Sequence, residues 1–370
     1  MTDQSIAIGA DVGRSHISCA AIDMAAGQLL PGTQMRASVD NNADSATILG
    51  QWARALNDTI AQVGPGRIAG IGFAMPGPFD YVNGISKMQH KFVGLYDVNI
   101  PEALRGQLSV PLPMRFLNDA TSFAVGEAWL GQGRGHDRVV AITLGTGFGS
   151  AFIDQGAPVV VREDVPDQGC LWHLPFDSGI ADEFFSTRWF VGEYEKLAGK
   201  KLPHVKAIAD ASPHDAIAAG LFVQFGKNLA TFIGPWLKRF GADILVMGGN
   251  ITGAYALFGP AYEQGLAEQG LHLPAKPSSL GEDAAMIGCA RLFEEGFWDK
   301  VEGELRRMLQ RGGGLWLLRV FGCRASPLGN GWMVKWLSFA LLCAFFADLC
   351  VSKKAGANPQ SFTPITKNLP

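Results

Sequence analysis

Two segments of this chain repeat one pattern: a strand of alternating apolar and small residues, a glycine-bearing turn, and a second strand. The first, IAIGADVGRSHISCAAID, covers residues 6–23, and the second, DRVVAITLGTGFGSAFID, covers residues 137–154. In the first, Ile6, Ile8, Ala10 and Val12 alternate as a half-buried strand would. Gly145, Gly147 and Gly149 superficially resemble a dinucleotide fingerprint. That fingerprint must open a helix, whereas SAFID continues as strand, so a Rossmann reading is excluded. Each hairpin is followed by helical patterns and a further strand, which marks a weak internal repeat. The expectation is α/β: duplicated domains facing one cleft.

The remaining pattern fills in that frame. Gln28–Ser38 reads as a third strand. Residues 43–62 place Ile48, Leu49, Trp52, Leu56 and Ile60 on one helical face. RIAGIGFAMPGP (67–78) and PMRFLND (113–119) are strands, and a helix over 121–133 stops at Gly131 and Gly133. Helical patterns at 180–198 and 214–240 precede the strand ADILVMGG (242–249), and helices at 253–269 and 282–296 follow. The domains read as 1–118, smaller, and 119–281, larger, with helix 282–296 returning to the first. Residues 297–370 read as an appendage, dispensable for catalysis.

Composition narrows the function class. The formal net charge is −3 and no Lys/Arg run exceeds two residues, so no nucleic-acid partner is expected. The six cysteines show no CxxC pairing, which argues against a disulfide framework and against structural zinc. No secretory signal opens the chain, and a reducing, cytoplasmic setting is the default. The apolar stretch 336–351 is shorter than the ~20 residues a span requires and contains Asp348. It reads as a buried or partner-facing helix, and no membrane is expected.

Four constellations could carry chemistry: Asp11-Val12-Gly13, Asn118-Asp119, Gly145-Thr146-Gly147-Phe148-Gly149 and Gly248-Gly249-Asn250. Glycine turns let several backbone N–H groups converge on a phosphate with no Cβ in the way. One such cluster is an ordinary turn; their ordered recurrence favours nucleotide binding. Asp119 reads in two ways. It caps the helix beginning near Ala120, or it accepts the proton of a substrate hydroxyl as that oxygen attacks a γ-phosphorus. Asp11 could orient Mg²⁺ through its waters.

In this order these residues resemble the ROK family of repressors and sugar kinases, within the actin-like ATPase superfamily, over roughly residues 5–296. IGADVGRSHISCAAID is similar to its first phosphate motif, GIGFAMPGPFD to its sugar-side loop and FLNDATSFAVGEAWLGQG to its catalytic segment. AITLGTGFGSAFI is similar to the second phosphate motif and ILVMGGNITGA to the adenosine-side motif. The resemblance implies a two-domain actin-like ATPase (ribonuclease H-like) fold with an interdomain cleft. It implies ATP and Mg²⁺, phosphorylation of a hexose (glucose to glucose 6-phosphate), and Asp119 as base. Asn118, Gly77, His173, Asp182 and the adjacent Glu183 would lie on the sugar side. Asp11, Gly13, Arg14, Ser15, Gly145, Thr146, Gly147, Gly248, Gly249 and Asn250 would lie on the nucleotide side. A homodimer is left open.

The chain departs from the family pattern at several positions. Arg14 and Ser15 stand where a glycine and a threonine are usual; Arg14 either pairs with a phosphate or disfavours the positive-φ turn that glycine allows. Cys170 stands at a glutamate position, three residues before His173, and the family's cysteine-rich zinc loop is missing. His173 is either a structural hydrogen-bonding residue or a sugar contact. Asp182 and Glu183 either bind sugar or decorate a helix N-terminal turn. A repressor would carry a helix-turn-helix before the first motif, where about five residues stand here. The competing function is a non-catalytic sugar-binding or sensing protein of the same fold.

Overall fold

The computed structural model describes residues 5–320. A compact unit ends at Gly314; of the second unit, from Leu315, the described part is helical. The apolar stretch 336–351 lies outside the described residues.

Strand β1 (Ile6–Val12) turns into β2 (His16–Asp23), paired from Ile6 opposite Asp23 to Val12 opposite Ile17. The strand expected over 28–38 is two pieces, β3 (Gln28–Leu29) and β4 (Met35–Ser38), both paired with β2. Pro31 has no N–H to give a ladder, and Gly32 takes a positive φ of 78°, so the strand breaks between them. Helix α1 (Ser45–Val63) begins where the Asp44 carboxylate accepts the Thr47 N–H at 2.8 Å, and it stops at Gly64. Its buried face is the one the spacing predicts, with Trp52 packed edge-on to Phe92 at 5.9 Å. Strand β5 (Ile68–Met75) runs parallel to β1. A small hairpin, β6 (Phe79–Asp80) and β7 (Ile85–Ser86), and helix α2 (Ile100–Leu104) lead to β8 (Met114–Asn118), parallel to β5. The first sheet therefore runs β3-β2-β1-β5-β8, with β4 also on β2.

Helix α3 (Asp119–Leu130) connects to the second hairpin, β9 (Arg138–Leu144) and β10 (Phe148–Asp154), extended by β11 (Ala157–Pro158). A two-stranded ribbon follows, β12 (Pro175–Phe176) and β13 (Gly179–Ile180). The helix expected over 180–198 is two, α4 (Ala181–Phe184) and α5 (Thr187–Ala198), because Ser186 between them is extended. Helices α6 (Val205–Ala211) and α7 (Ala216–Phe240) precede β14 (Ile244–Gly248). Helix α8 (Tyr255–Ala267) and β15 (Ala275–Pro277) complete a second sheet, β11-β10-β9-β14-β15. As in the first sheet, an antiparallel hairpin is joined by parallel strands on one side. The repeat legible in the sequence is thus a repeat of sheet topology.

Helix α7 is long and apolar enough to cross a membrane by length and composition. Leu221, Phe222, Phe225, Leu229 and Ile233 nevertheless lie in the second core, and Gly226 lets α8 approach, so it is a core helix.

Helix α9 (Asp283–Ala290) lies on the first sheet, where a Cβ on Gly9 or Gly72 would overlap the Met286 or Cys289 carbonyl, at 2.0 and 1.9 Å. Helix α10 (Phe297–Val320) then buries Phe297, Val301 and Leu305 in the first core. The Arg115 guanidinium is sandwiched at 4.7 Å from the Phe293 ring and 4.8 Å from the Trp298 ring. The start of the segment read above as an appendage is therefore core. Its mixed composition hid a buried face that only the packing reveals.

Candidate active site

The carboxyl ends of the parallel strands carry the chemistry-bearing residues, as expected for an open α/β sheet. In the first sheet Asp11 sits opposite Ala74, and Met75 opposite Asn118, so Asp11, the 75–78 loop and Asp119 share one edge. In the second, Gly248 sits beside Thr143, and Gly249 follows with a φ of 86°. A Cβ on Gly249 would lie 2.3 Å from the Leu144 carbonyl oxygen, so only glycine lets the third glycine run rest against the second glycine turn.

Asn118, not Asp119, caps α3: its Oδ1 accepts the Thr121 N–H at 3.2 Å. Its amide nitrogen donates to Tyr81 Oη at 3.3 Å and to Asp119 Oδ1 at 2.9 Å. Tyr81 in turn donates to the Met75 carbonyl at 3.2 Å. Asp119 is the first helical residue, and its Oδ1 also accepts the Ala120 N–H at 2.8 Å. Its other oxygen, Oδ2, accepts from no other described residue. Burial raises the Asp119 pKa above the usual carboxylate range, opposed by the positive charge of Lys91 and by its hydrogen bonds.

The Asp11 carboxylate has no hydrogen bond among the described residues. Its pKa is pushed up to about 7, by burial first and then by the charges of Asp119 and Glu282. A half-buried, unpartnered carboxylate of this kind suits a hydrated Mg²⁺, a hard cation that prefers oxygen. Among the described residues no three His, Cys, Asp or Glu side chains converge as a metal-ligating group.

The family model described as the ROK family matches residues 7–163. A glucokinase of Thermotoga maritima is 27% identical over 323 residues, covering 78% of this chain and 97% of that protein. An N-acetyl-D-glucosamine kinase of Pectobacterium carotovorum is 30% identical over 182 residues, 43% of this chain and 60% of that one. The crystal structure of a ROK family glucokinase from Streptomyces griseus, in complex with glucose and AMPPNP, superposes with a TM-score of 0.61 at 19% identity, covering 79% of this chain and all of that one. The chain is thus similar to the ROK family over residues 7–163 and to a glucokinase over most of its length. Its fold is that of the Streptomyces griseus ROK family glucokinase.

The remaining residues singled out in this chain fall into distinct places. Gly13 closes the first turn by donating its N–H to the His16 carbonyl at 3.0 Å, leaving Arg14 and Ser15 exposed. Gly77 lies against Tyr81, its Cβ position 3.4 Å from the Tyr81 hydroxyl. In the second turn the Gly145 N–H donates to the Gly147 carbonyl at 3.0 Å, and Thr146 and Gly147 are exposed. Asn250 is exposed where a single helical turn begins. His173 is half-buried, its ring edge-on to Trp172 at 5.3 Å. Glu183 accepts the Ile180 N–H at 3.0 Å, a capping role for α4. Asp182 points at the second turn: its Oδ1 accepts the Phe148 N–H at 2.7 Å.

Two neighbours of Asp119 carried no readable signal, and a third, Cys170, stood out only as a departure from the family pattern. Lys91 lies in a segment without periodicity, yet its charge acts on Asp119. Tyr81 looks like one more aromatic after the Pro/Gly loop. Cys170 is close enough that the Asp119 charge, after burial and before Asp167, helps push its thiol up to about 12. Only the fold brings these segments to one strand edge.

Proposed function

We propose that this chain is an ATP-dependent kinase that transfers the γ-phosphoryl group to a hexose hydroxyl, with glucose as the first substrate to test. The observation that carries the reading is the Asp119 carboxylate. One oxygen is fixed by Asn118 and Ala120, and the other is unclaimed at the strand edge facing Asp11. A carboxylate so fixed and raised in pKa is a competent proton acceptor near neutral pH.

The sugar hydroxyl donates its proton to Asp119 Oδ2 as the hydroxyl oxygen bonds to the γ-phosphorus. The bond from that phosphorus to the bridging oxygen breaks, and ADP leaves. Mg²⁺, when bound with ATP, supplies charge neutralisation across the phosphates, and Asp11 would hold it through water. Asn118 keeps Asp119 in place. Thr146 and Gly147 are exposed, and their N–H groups would receive phosphate oxygens, with Gly248, Gly249 and Asn250 bordering the nucleotide. Arg14 joins them as a phosphate contact from the opposite turn.

The kinase reading has support from both curated relatives, a glucokinase and an N-acetyl-D-glucosamine kinase. They differ in the sugar they name, so the acceptor is a matter for assay. The reading carries a cytoplasmic location, where ATP is made available. The deciding experiment is ADP release with Mg²⁺ and ATP across glucose, mannose, fructose and N-acetylglucosamine. Turnover with any of them supports the reading. Folded protein that binds a sugar without releasing ADP belongs instead to the non-catalytic class.

A further inference from the structure

Asp182 stands where the family resemblance places a sugar-binding acid, but its hydrogen bonds lead elsewhere. Its Oδ1 accepts the Phe148 N–H at 2.7 Å, a charge-assisted bond at the end of the second glycine turn. Its Oδ2 is paired with the Arg188 guanidinium. Its own N–H donates to the Trp172 carbonyl at 2.9 Å, which ties the start of α4 to the 170–174 loop. A Cβ placed on Gly147 would sit 3.0 Å from Asp182 Oδ1, so the carboxylate lies directly against the turn.

The same turn is gripped from a second point. The Gly145 carbonyl accepts both the Thr187 N–H, at 2.8 Å, and the Thr187 hydroxyl, at 3.0 Å. The Phe148 ring packs on Phe185 at 5.4 Å, between those two grips. Gly145 to Phe148 is thus held at its first carbonyl and its last N–H by one short segment, Asp182–Arg188. The intervening Thr146 and Gly147 stay exposed.

A glycine-rich turn is free to take many conformations, and a phosphate site needs one. Fixing both ends while leaving the middle N–H groups open achieves this. The Arg188 pairing also offsets the negative charge that Asp182 brings close to a phosphate site.

We propose that Asp182, with Thr187, is a positioning residue for the nucleotide's phosphate turn rather than a ligand of the sugar. The proposal rests on the nucleotide reading of Gly145–Gly149 given above. It places the helix junction α4–α5, which follows the 170–174 loop carrying His173, in control of the nucleotide side. The phosphate turn is then pre-organised by a segment that the 170–174 loop also touches.

The test separates the two ligands. Binding of Mg·AMPPNP and of glucose is measured by calorimetry on wild type, Asp182→Ala, Asp182→Asn and Thr187→Val, with amide hydrogen exchange over residues 143–150. Asp182→Ala is expected to weaken AMPPNP about tenfold, the size of one charge-assisted hydrogen bond. It should speed exchange in the turn and leave glucose affinity within about twofold. Asp182→Asn keeps an oxygen that can accept the Phe148 N–H, so it should recover most of the nucleotide affinity. Thr187→Val loses only the hydroxyl grip and should weaken AMPPNP about threefold; this variant carries the test if Asp182→Ala does not fold. Loss of glucose affinity with AMPPNP affinity unchanged would overturn the proposal, as would tighter AMPPNP binding in Asp182→Ala. Wild-type protein that binds AMPPNP but phosphorylates no sugar removes the kinase reading and leaves the clamp standing.

Discussion

The two sheets share a plan, a hairpin joined by parallel strands, but they are completed in opposite ways. The second sheet buries one face under helices that follow it closely in the chain, α5 to α8, and its glycine turn is gripped by the next segment, Asp182–Arg188. The first sheet takes α1 from nearby but borrows further cover from the far end: Cys289, Leu292, Phe297, Val301 and Leu305 all lie in its core. Its turn is closed by its own Gly13–His16 bond, the Ser15 carbonyl accepts the Val39 N–H at 2.8 Å, and its edge carries the two carboxylates, Asp11 and Asp119. The two edges thus differ in their side chains, with acids on one and a clamped glycine turn on the other. The first half depends on residues nearly three hundred positions away, and the second does not.

That contrast breaks most sharply at Asp119. Asp119→Asn should reduce turnover by about 10²–10⁴-fold, since it removes the proton acceptor. Because Asn118 is the residue that caps α3, stability should stay within ~1 kcal/mol of wild type in thermal melts. A stable variant with wild-type turnover would remove the chemistry from the first edge.

Next in size is the borrowed cover. Truncation after Gly296, which the sequence alone presents as harmless, deletes Phe297, Val301 and Leu305 from the first core. At about 1.5–3 kcal/mol for each buried side chain, the loss should reach about 4 kcal/mol or more. Urea unfolding should show a destabilised or insoluble product. A truncated protein as stable as the full chain would mean that the first sheet is self-sufficient after all.

The second turn offers a smaller break. Gly249→Ala puts a Cβ against the Leu144 carbonyl at a position of positive φ. It should cost about 2–3 kcal/mol and weaken nucleotide binding, measured by melting and by AMPPNP titration.

The smallest effect, at Asp11, sharpens the difference through pH. Its folded pKa, about 7, exceeds that of an unfolded aspartate, so the folded state binds this proton more tightly. The resulting stability is full below about pH 4 and is lost as pH rises through about 7. Asp11→Asn should therefore melt higher than wild type above pH 7 and match it near pH 4. A constant difference across that range would show that Asp11 does not titrate there. Asp119, also raised, predicts an acid limb of kcat/KM above the ordinary carboxylate range, read from a pH–rate profile.

Periodicity by itself placed the main strands and helices, since apolar spacing reports which face each element must bury, but it ran β3 into β4 and α4 into α5. It placed the face of α1, the two hairpins and the strand-end positions of Asp11, Asn118, Asp119 and Gly248. Local rules could not divide labour among neighbours: Asn118 and Asp119 are both good caps, and only the path into α3 decides which one caps and which is left with a free oxygen. Nor could spacing tell what Asp182 faces, because its partner Phe148 lies thirty-four residues earlier in the chain. The same holds for Lys91 beside Asp119 and for α10 under the first sheet. Contacts between distant segments are set by how whole sheets and helices pack, so they became visible only in the tertiary structure.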